Sequence, residues 1–185
     1  MPEITYAPIQ ERWAEELAAI ERAAFPTAGM VDLLNVEDIR ILCRTFPEGG
    51  FVALDGDRPV GMGVGILIDF DFYYGVTIAV DPGYRRLGIG QELYVRRKDV
   101  VRRLGKAGIV AGGVIPGYAD HLDAMSADEY VEEVKAGRLY DPTLSFQLEN
   151  GFEALGAIPD YMEDPAVGGN AVLIVWRNPD RLTGG

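Results

Sequence analysis

Residues 76–90 read Val76-Thr77-Ile78-Ala79-Val80-Asp81-Pro82-Gly83-Tyr84-Arg85-Arg86-Leu87-Gly88-Ile89-Gly90. An apolar run meets a proline stop, and two glycines follow a pair of arginines. A buried strand that hands over to a helix at such glycines presents free backbone amides, because the first N–H groups of a helix lack partners within it. The helix macrodipole adds roughly half a positive charge at that end. A pyrophosphate is a natural ligand for this geometry. Gly88 and Gly90 let phosphates come close to the main chain, while Arg85 and Arg86 add charge without dictating the contacts. A phosphate-binding nucleotide loop would need lysine and then serine or threonine after the glycines, and Gln91-Glu92 stands there. The dinucleotide fingerprint needs three spaced glycines after a strand, and residues 85–90 hold two. A further cluster, Gly61-Met62-Gly63-Val64-Gly65, lies inside a strand pattern with no helix behind it. It reads as a bulged or closely packed strand.

The charge distribution singles out the same region. The chain has 17 basic and 29 acidic residues, for a net charge of −12. Eight of the basic residues (Arg85, Arg86, Arg96, Arg97, Lys98, Arg102, Arg103 and Lys106) fall between positions 85 and 106, opposed by Glu92 and Asp99. That segment carries +6 and the remainder −18. One reading is a local anion site on a surface that otherwise attracts cations; beyond position 95 the basic residues read as a solvated helix face. The acidic total argues against nucleic acid as a partner.

The elements that must position this turn follow from periodicity. Residues 4–9 make a short strand, and 11–24 an amphipathic helix with Trp13, Leu17, Ile20 and Ala24 on one side. Phe25-Pro26 ends it, since proline cannot continue the hydrogen-bond ladder. A second helix spans roughly 36–45. Phe51–Leu54 and Val60–Phe70 are strands around Asp55-Gly56-Asp57-Arg58-Pro59, a strong hairpin signal. Gly75–Val80 is a strand, 89–104 a long helix with Ile89, Leu93, Val100 and Leu104 on one side, and Ile109–Ile115 a further strand. Residues 116–141 look like a helical insertion, with a capping box at Ser126-Ala127-Asp128-Glu129. A helix over 143–150 ends at Gly151, a left-handed cap, and strands at 154–158 and 171–176 complete the sheet. This order predicts an α/β (α+β) domain with a mixed, largely antiparallel sheet flanked by helices, occupying residues 1–185 as one unit.

The turn resembles the coenzyme A signature of the GNAT acetyltransferase superfamily, Arg/Gln-x-x-Gly-x-Gly/Ala after a Val-x-Pro strand end. Val80-Asp81-Pro82 and Arg85-Arg86-Leu87-Gly88-Ile89-Gly90 stand in that register. The likeness extends over nearly the whole chain through the early helices, the Asp-Gly hairpin, the basic helix and Phe146…Gly151-Phe152. The chain is most similar to GNAT domains joined to nitrilase-like carbon–nitrogen hydrolases. That likeness rests on Val114-Ile115-Pro116-Gly117-Tyr118, on Met125-Ser126-Ala127-Asp128-Glu129-Tyr130-Val131, on Asp141-Pro142-Thr143-Leu144-Ser145-Phe146-Gln147-Leu148 and on Asn150-Gly151-Phe152. The 185 residues hold no hydrolase domain, which gives the expectation of a stand-alone version. The resemblance implies acetyl-coenzyme A as cosubstrate, with Ile78, Ala79 and Val80 meeting its pantetheine arm. The Arg86–Gln91 amides (Arg86, Leu87, Gly88, Ile89, Gly90 and Gln91) would cradle the pyrophosphate, with Arg85 beside them. In the family the strand carrying Ile78–Val80 splays from Ile109–Ile115, and the thioester sits in the gap.

Acetyl transfer to an amine needs the amine neutral. A lysine-like amine of pKa ~10.4 lies roughly 4–5 kcal/mol from that state at neutral pH, so a carboxylate or histidine would normally assist. Candidates are Asp71, in the segment Asp69-Phe70-Asp71-Phe72-Tyr73-Tyr74 that joins two central strands on the acceptor side, and His121, beside Asp120 and Asp123. Their ordinary readings are a solvated loop tip and an incidental loop histidine. The Ala79 or Val80 amide could serve the oxyanion. The tyrosine that often protonates the departing thiolate in this superfamily would stand four residues before Gly151, where this chain has Gln147. Glutamine donates a hydrogen bond but is no proton source. Tyr118, Tyr140 and Tyr161 are substitutes, each with ordinary packing as the alternative. By analogy, Phe25-Pro26-Thr27-Ala28-Gly29-Met30 is the acceptor loop.

The resulting expectation is a direct-transfer N-acetyltransferase acting on a small, cationic primary amine such as a polyamine, aminoglycoside, amino acid or peptide terminus. The rivals are a catalytically weak acyl-coenzyme A sensor or scaffold, and a protein adaptor built on residues 116–141. No metal is expected, since one histidine and one cysteine leave no zinc site. No membrane partner is expected, since the longest apolar stretch falls short of the ~20 residues needed to span a bilayer. The start Met1-Pro2-Glu3-Ile4 lacks a secretory pattern, so a cytoplasmic location is expected. A homodimer is left open.

Overall fold

The computed structural model of the chain describes residues 2–68 and 71–182; Asp69 and Phe70 of the loop discussed above lie outside them. It contains seven strands and six α-helices among these residues, divided between two compact units.

The first unit comprises Met1–Pro26, Leu33–Ile109 and Asn178–Gly185. Its strands are β1 (Ile4–Pro8), β2 (Phe51–Asp55), β3 (Arg58–Ile68) and β4 (Phe72–Val80), paired in that order and antiparallel throughout. Side chains alternate between the two faces of a strand, and β2 uses the alternation fully. Val52 and Leu54 join a core under α1 (Ala14–Ala24) and α2 (Val36–Thr45) with Leu17, Ile20 and Ile39. Ala53 points the other way, into a cluster with Val60, Ile89 and Leu93 under α3 (Ile89–Arg103). The β2–β3 turn is the expected hairpin, and its loop is only Gly56-Asp57, with Gly56 at φ 58° and Asp55 opposite Arg58.

Two boundaries differ from expectation by three residues. Residues 11–13 form a 3₁₀ turn before α1 rather than its first turn. Strand β4 begins at Phe72, not Gly75, because Gly65↔Gly75, Ile66↔Tyr74, Leu67↔Tyr73 and Ile68↔Phe72 carry the ladder on past a register shift. That shift leaves Val76 unopposed between Thr77, which faces Val64, and Gly75. The extra residue thus lies in β4, opposite the end of the Gly61–Gly65 segment, which itself packs closely. A Cβ on Gly65 would stand 2.3 Å from the Tyr73 ring and 2.3 Å from the Tyr74 carbonyl oxygen, so only glycine fits there.

The second unit comprises Thr27–Asp32 and Val110–Arg177. It contains β5 (Gly108–Val114) from Val110 onward, β6 (Glu153–Ile158) and β7 (Ala171–Arg177) in the order β5-β7-β6, with β6 and β7 antiparallel. Helices α4 (Ala127–Lys135) and α5 (Leu144–Glu149) bury Tyr130, Val131, Val134 and Leu144. The capping box at Ser126 forms as the sequence predicts: Ser126 Oγ accepts from the Glu129 amide at 3.3 Å, and Glu129 returns a bond to the Ser126 amide at 2.8 Å. Residues 116–141 hold a 3₁₀ turn at Pro116–Asp120 and the short helix α4. Gly151 adopts φ 76° as a left-handed cap. A short α6 (Pro179–Leu182) returns to the first unit.

Candidate functional site

The β4–α3 connection is built from residues that fix its backbone and leave its surface open. The Asp81 amide donates to the Val60 carbonyl at 2.8 Å and closes the β3–β4 ladder. The Asp81 carboxylate then accepts from the Gly83 amide at 2.8 Å and from Arg58 at 3.0 Å. Tyr84 donates its hydroxyl to Asp55 at 2.6 Å, a contact that raises the phenol pKa above its usual value. The base of the turn is thus tied to the β2–β3 hairpin on both sides. Beyond Tyr84 the chain takes two left-handed steps, Arg86 at φ 64° and Gly88 at φ 78°. Arg85, Arg86, Leu87 and Gly88 are all exposed, and Ile89 is buried, seating the helix start in the core.

Gly88 is the N-cap of α3 and makes no side-chain capping bond. A helix start without a capping side chain leaves its amides for an external acceptor. A Cβ on Gly88 would meet nothing within 4 Å, so glycine is there for its backbone conformation and not for lack of room. The two arginines have different roles. Arg85 donates to the Ala24 carbonyl at 3.3 Å, at the end of α1, where a cation suits the helix dipole. Arg86, held in the left-handed region, remains at the surface. Ile78, Ala79 and Val80 lead into this turn, opposite Gly63, Met62 and Gly61.

A second cluster in the first unit surrounds the β4 bulge. Arg97 of α3 is 3 % exposed and donates to the carbonyls of Val64 and Thr77, the pair at which regular pairing stops. Its guanidinium also lies 5.5 Å from the centre of the Tyr73 ring, whose hydroxyl donates to Gly49 at 2.6 Å. Burial raises the Tyr73 phenol pKa. From α1, Glu21 accepts a hydrogen bond from the Thr77 hydroxyl at 3.2 Å and is 3 % exposed. Burial pushes its carboxyl up to about 7, against smaller opposing effects of Thr77, a backbone hydrogen bond from Leu34 and the Arg97 charge. Sequence reasoning missed this cluster although the signal was there. Glu21 follows Leu17, and Arg97 follows Leu93, by four residues, so each charge stands on the buried stripe of its helix.

The catalytic candidates named from sequence occupy other places. Asp71 immediately precedes β4 and lies seven residues before Ile78, roughly 23 Å along an extended chain at ~3.3 Å per residue. Its carboxylate is ion-paired with Arg181 at 2.6 Å. Tyr118 is 4 % exposed, and its hydroxyl donates to the Met125 carbonyl at 2.9 Å. The rings of Tyr118 and His121 each stand 5.3 Å from that of Tyr130, which donates to Asp141 at 3.1 Å. Asp141, wholly buried, also accepts from the amides of Gly117, Thr143 and Leu144 at 2.9, 2.8 and 2.7 Å. That arrangement is a structural hub. Gln147 is buried against Gly113, and its Oε1 has no hydrogen-bond partner. Tyr140 is largely exposed, and Tyr161 partly so. In all, the structure gathers residues 78–91 into one feature of the first unit, whereas Tyr118, His121 and Gln147 belong to the second.

Comparison with known proteins gives a consistent result. The model of the family described as "Acetyltransferase (GNAT) family" matches residues 11–114, which include the whole β4–α3 feature. The protein named "Probable hydrolase YhcX" of Bacillus subtilis (strain 168) is 36% identical over 200 residues, covering 94% of this chain. The chain spans only 38% of that relative's length, in keeping with the expected likeness to acetyltransferase domains joined to hydrolases. The "Uncharacterized N-acetyltransferase YkwB" of the same organism is 31% identical over 192 residues, covering 89% of this chain and 84% of that one. Among solved structures, the loading GNATL domain of CurA from Lyngbya majuscula has a TM-score of 0.84 at 19% identity, with 97% and 100% of the two chains covered. The GphF GNAT-like decarboxylase in complex with isobutyryl-CoA has 0.79 at 20% identity, with 95% and 99% covered.

Proposed function

Because this chain belongs to the GNAT acetyltransferase family, we propose that it is an acetyl-coenzyme A-dependent N-acetyltransferase that acetylates a small cationic primary amine by direct transfer in a ternary complex. The observation that carries this reading is the turn 85–90: exposed from Arg85 to Gly88, twice left-handed, and opening α3 at an N-cap without a side-chain bond. The backbone amides of Arg86, Leu87, Gly88, Ile89, Gly90 and Gln91 hold the pyrophosphate, and the exposed Arg86 guanidinium adds charge. Arg85 supports them from behind by capping α1. Ile78, Ala79 and Val80 face the pantetheine with main-chain groups, and the Ala79 or Val80 amide meets the developing oxyanion. When bound, the thioester supplies an activated acetyl carbonyl. The surplus of acidic residues outside the 85–106 segment favours a cationic acceptor. The protein works in the cytoplasm, as a single domain across its 185 residues.

A second reading has its own observation. Gln147 stands where the family's proton-donating tyrosine is expected, and the Tyr118 hydroxyl is engaged with Met125. The thiolate then departs unprotonated, which its pKa of ~8.5 permits, or the domain binds acyl-coenzyme A without turnover. Free-thiol release over a panel of polyamines, aminoglycosides, amino acids and peptides, together with calorimetric titration of coenzyme A, separates these. Binding with turnover supports the transferase; binding alone supports the sensor; neither leaves the family's usual chemistry behind.

A further inference from the structure

We infer that Glu21 of α1, acting through the Thr77 hydroxyl of β4, takes the proton that the acceptor amine must lose before it attacks. This rests on the transferase reading above and assigns a role that none of the sequence candidates fills. The geometry is specific. Thr77 immediately precedes Ile78–Val80 and pairs with Val64 directly beside the register shift that leaves Val76 unopposed. Its side chain is half-buried, and its hydroxyl donates to Glu21 Oε2 at 3.2 Å. The hydroxyl proton therefore already points at the carboxylate, and the oxygen keeps a lone pair for an incoming N–H. An ammonium group hydrogen-bonded to that oxygen passes its proton to Thr77 Oγ1 as the threonine proton moves to Glu21. The amine nitrogen then forms the C–N bond as the C–S bond breaks. The C–S electron pair leaves on sulfur, which takes up the second amine proton. Glu21 later returns its proton to water.

A purely structural carboxylate would be expected to pair directly with the buried cation beside it. Arg97 instead directs its hydrogen bonds to the carbonyls of Val64 and Thr77, and no ion pair joins it to Glu21 among the described residues. The groups bearing on Glu21 are the Thr77 hydroxyl from β4, the Leu34 backbone, and the Arg97 charge from α3. With burial dominant, Glu21 changes protonation at about 7, close to where a general base works best. It must be ionised to accept a proton, so activity rises with pH through that value.

The test compares wild type, Glu21→Gln, Thr77→Val and Thr77→Ser for kcat/KM against pH, for acetyl-coenzyme A affinity, and for the infrared carboxylic C=O band during a pH titration. The expected result is a wild-type limb rising through pH about 7. Glu21→Gln and Thr77→Val should lower kcat about 100-fold or more and abolish the limb, with Thr77→Ser close to wild type and cofactor affinity unchanged throughout. The infrared band should titrate near 7 in wild type and be missing from Glu21→Gln, whether or not an acceptor is present. A merely structural Glu21 would shift the melting temperature and leave the limb in place, which would overturn the inference while the transferase reading stood. Absence of turnover in wild type would overturn both.

Discussion

Arg97 donates to the Thr77 carbonyl, binding α3 to β4 at the one place in the β3–β4 ladder where pairing slips. The same guanidinium serves Val64 across the ladder. A bulge exposes carbonyls that a regular strand would satisfy, and here a buried arginine takes them up. Removing it should therefore damage β4 itself. Arg97→Leu is expected to destabilise the protein by roughly 2–6 kcal/mol, from about 1–3 kcal/mol for each buried carbonyl left unpaired. Arg97→Lys should recover only part, since an ammonium lacks the planar fork. Urea unfolding midpoints at constant slope are the readout.

The glycine beneath the bulge is a separate test of the same region. Gly65→Ala places a methyl group 2.3 Å from the Tyr74 carbonyl oxygen, which is backbone and cannot simply swing away. Overpacking of this kind typically costs about 1–3 kcal/mol, and the loss should appear as a lower melting temperature.

Glu21 predicts how stability depends on pH. Its carboxyl rises from 4.5 to about 7 on folding, so the folded state binds a proton more tightly than the unfolded chain. Stability from this group is fully present below about 4.5, where both forms are protonated, and is lost across the range in which only the folded form still holds the proton. It therefore declines as pH rises from about 4.5 to about 7. At about 1.36 kcal/mol per pKa unit the decline amounts to roughly 3 kcal/mol. Glu21→Gln should flatten this slope in chemical denaturation series at several pH values.

The sequence conveyed the elements well and the chemistry unevenly. Helices over 36–45 and 89–104, the Asp55–Arg58 hairpin, the Ser126 capping box and the Gly151 cap follow from local rules, and the structure contains all of them. The first three residues of β4 escape sequence reading because Phe72-Tyr73-Tyr74 is an unbroken aromatic run with no polar alternation; only pairing with Ile66, Leu67 and Ile68 defines it. Asp71 looked available because its partner Arg181 is 110 residues away in sequence. Tyr118 takes the ordinary packed role that was its alternative reading, with a hydroxyl partner, the Met125 carbonyl, that only the fold reveals. Glu21 and Arg97 were passed over as ordinary helix charges, although their spacing from Leu17 and Leu93 put them inside. A charge on the apolar stripe was the clue.

Gln147 provides a prediction opposite in sign to most core substitutions. Its Oε1 is buried without a partner, and an unmet acceptor costs about 1–3 kcal/mol. Gln147→Met should leave the ligand-free protein as stable as wild type or more so, by thermal denaturation. A loss of more than about 1 kcal/mol would mean that the amide makes a bond worth keeping.

Most directly, the account stands on acetyl-coenzyme A binding at the turn that opens α3, measured by titration calorimetry on wild type and on Gly88→Ala. At Gly88 an alanine meets no steric obstacle but must hold φ 78°, so the variant should fold at a cost of about 1–2 kcal/mol. The prediction is one saturable site, weaker at high salt as an exposed charged contact should be, with Gly88→Ala binding about tenfold or more weakly, the equivalent of about 1.4 kcal/mol. Wild-type protein that shows no saturable heat with acetyl-coenzyme A, or a folded Gly88→Ala that binds it equally well, would contradict the account.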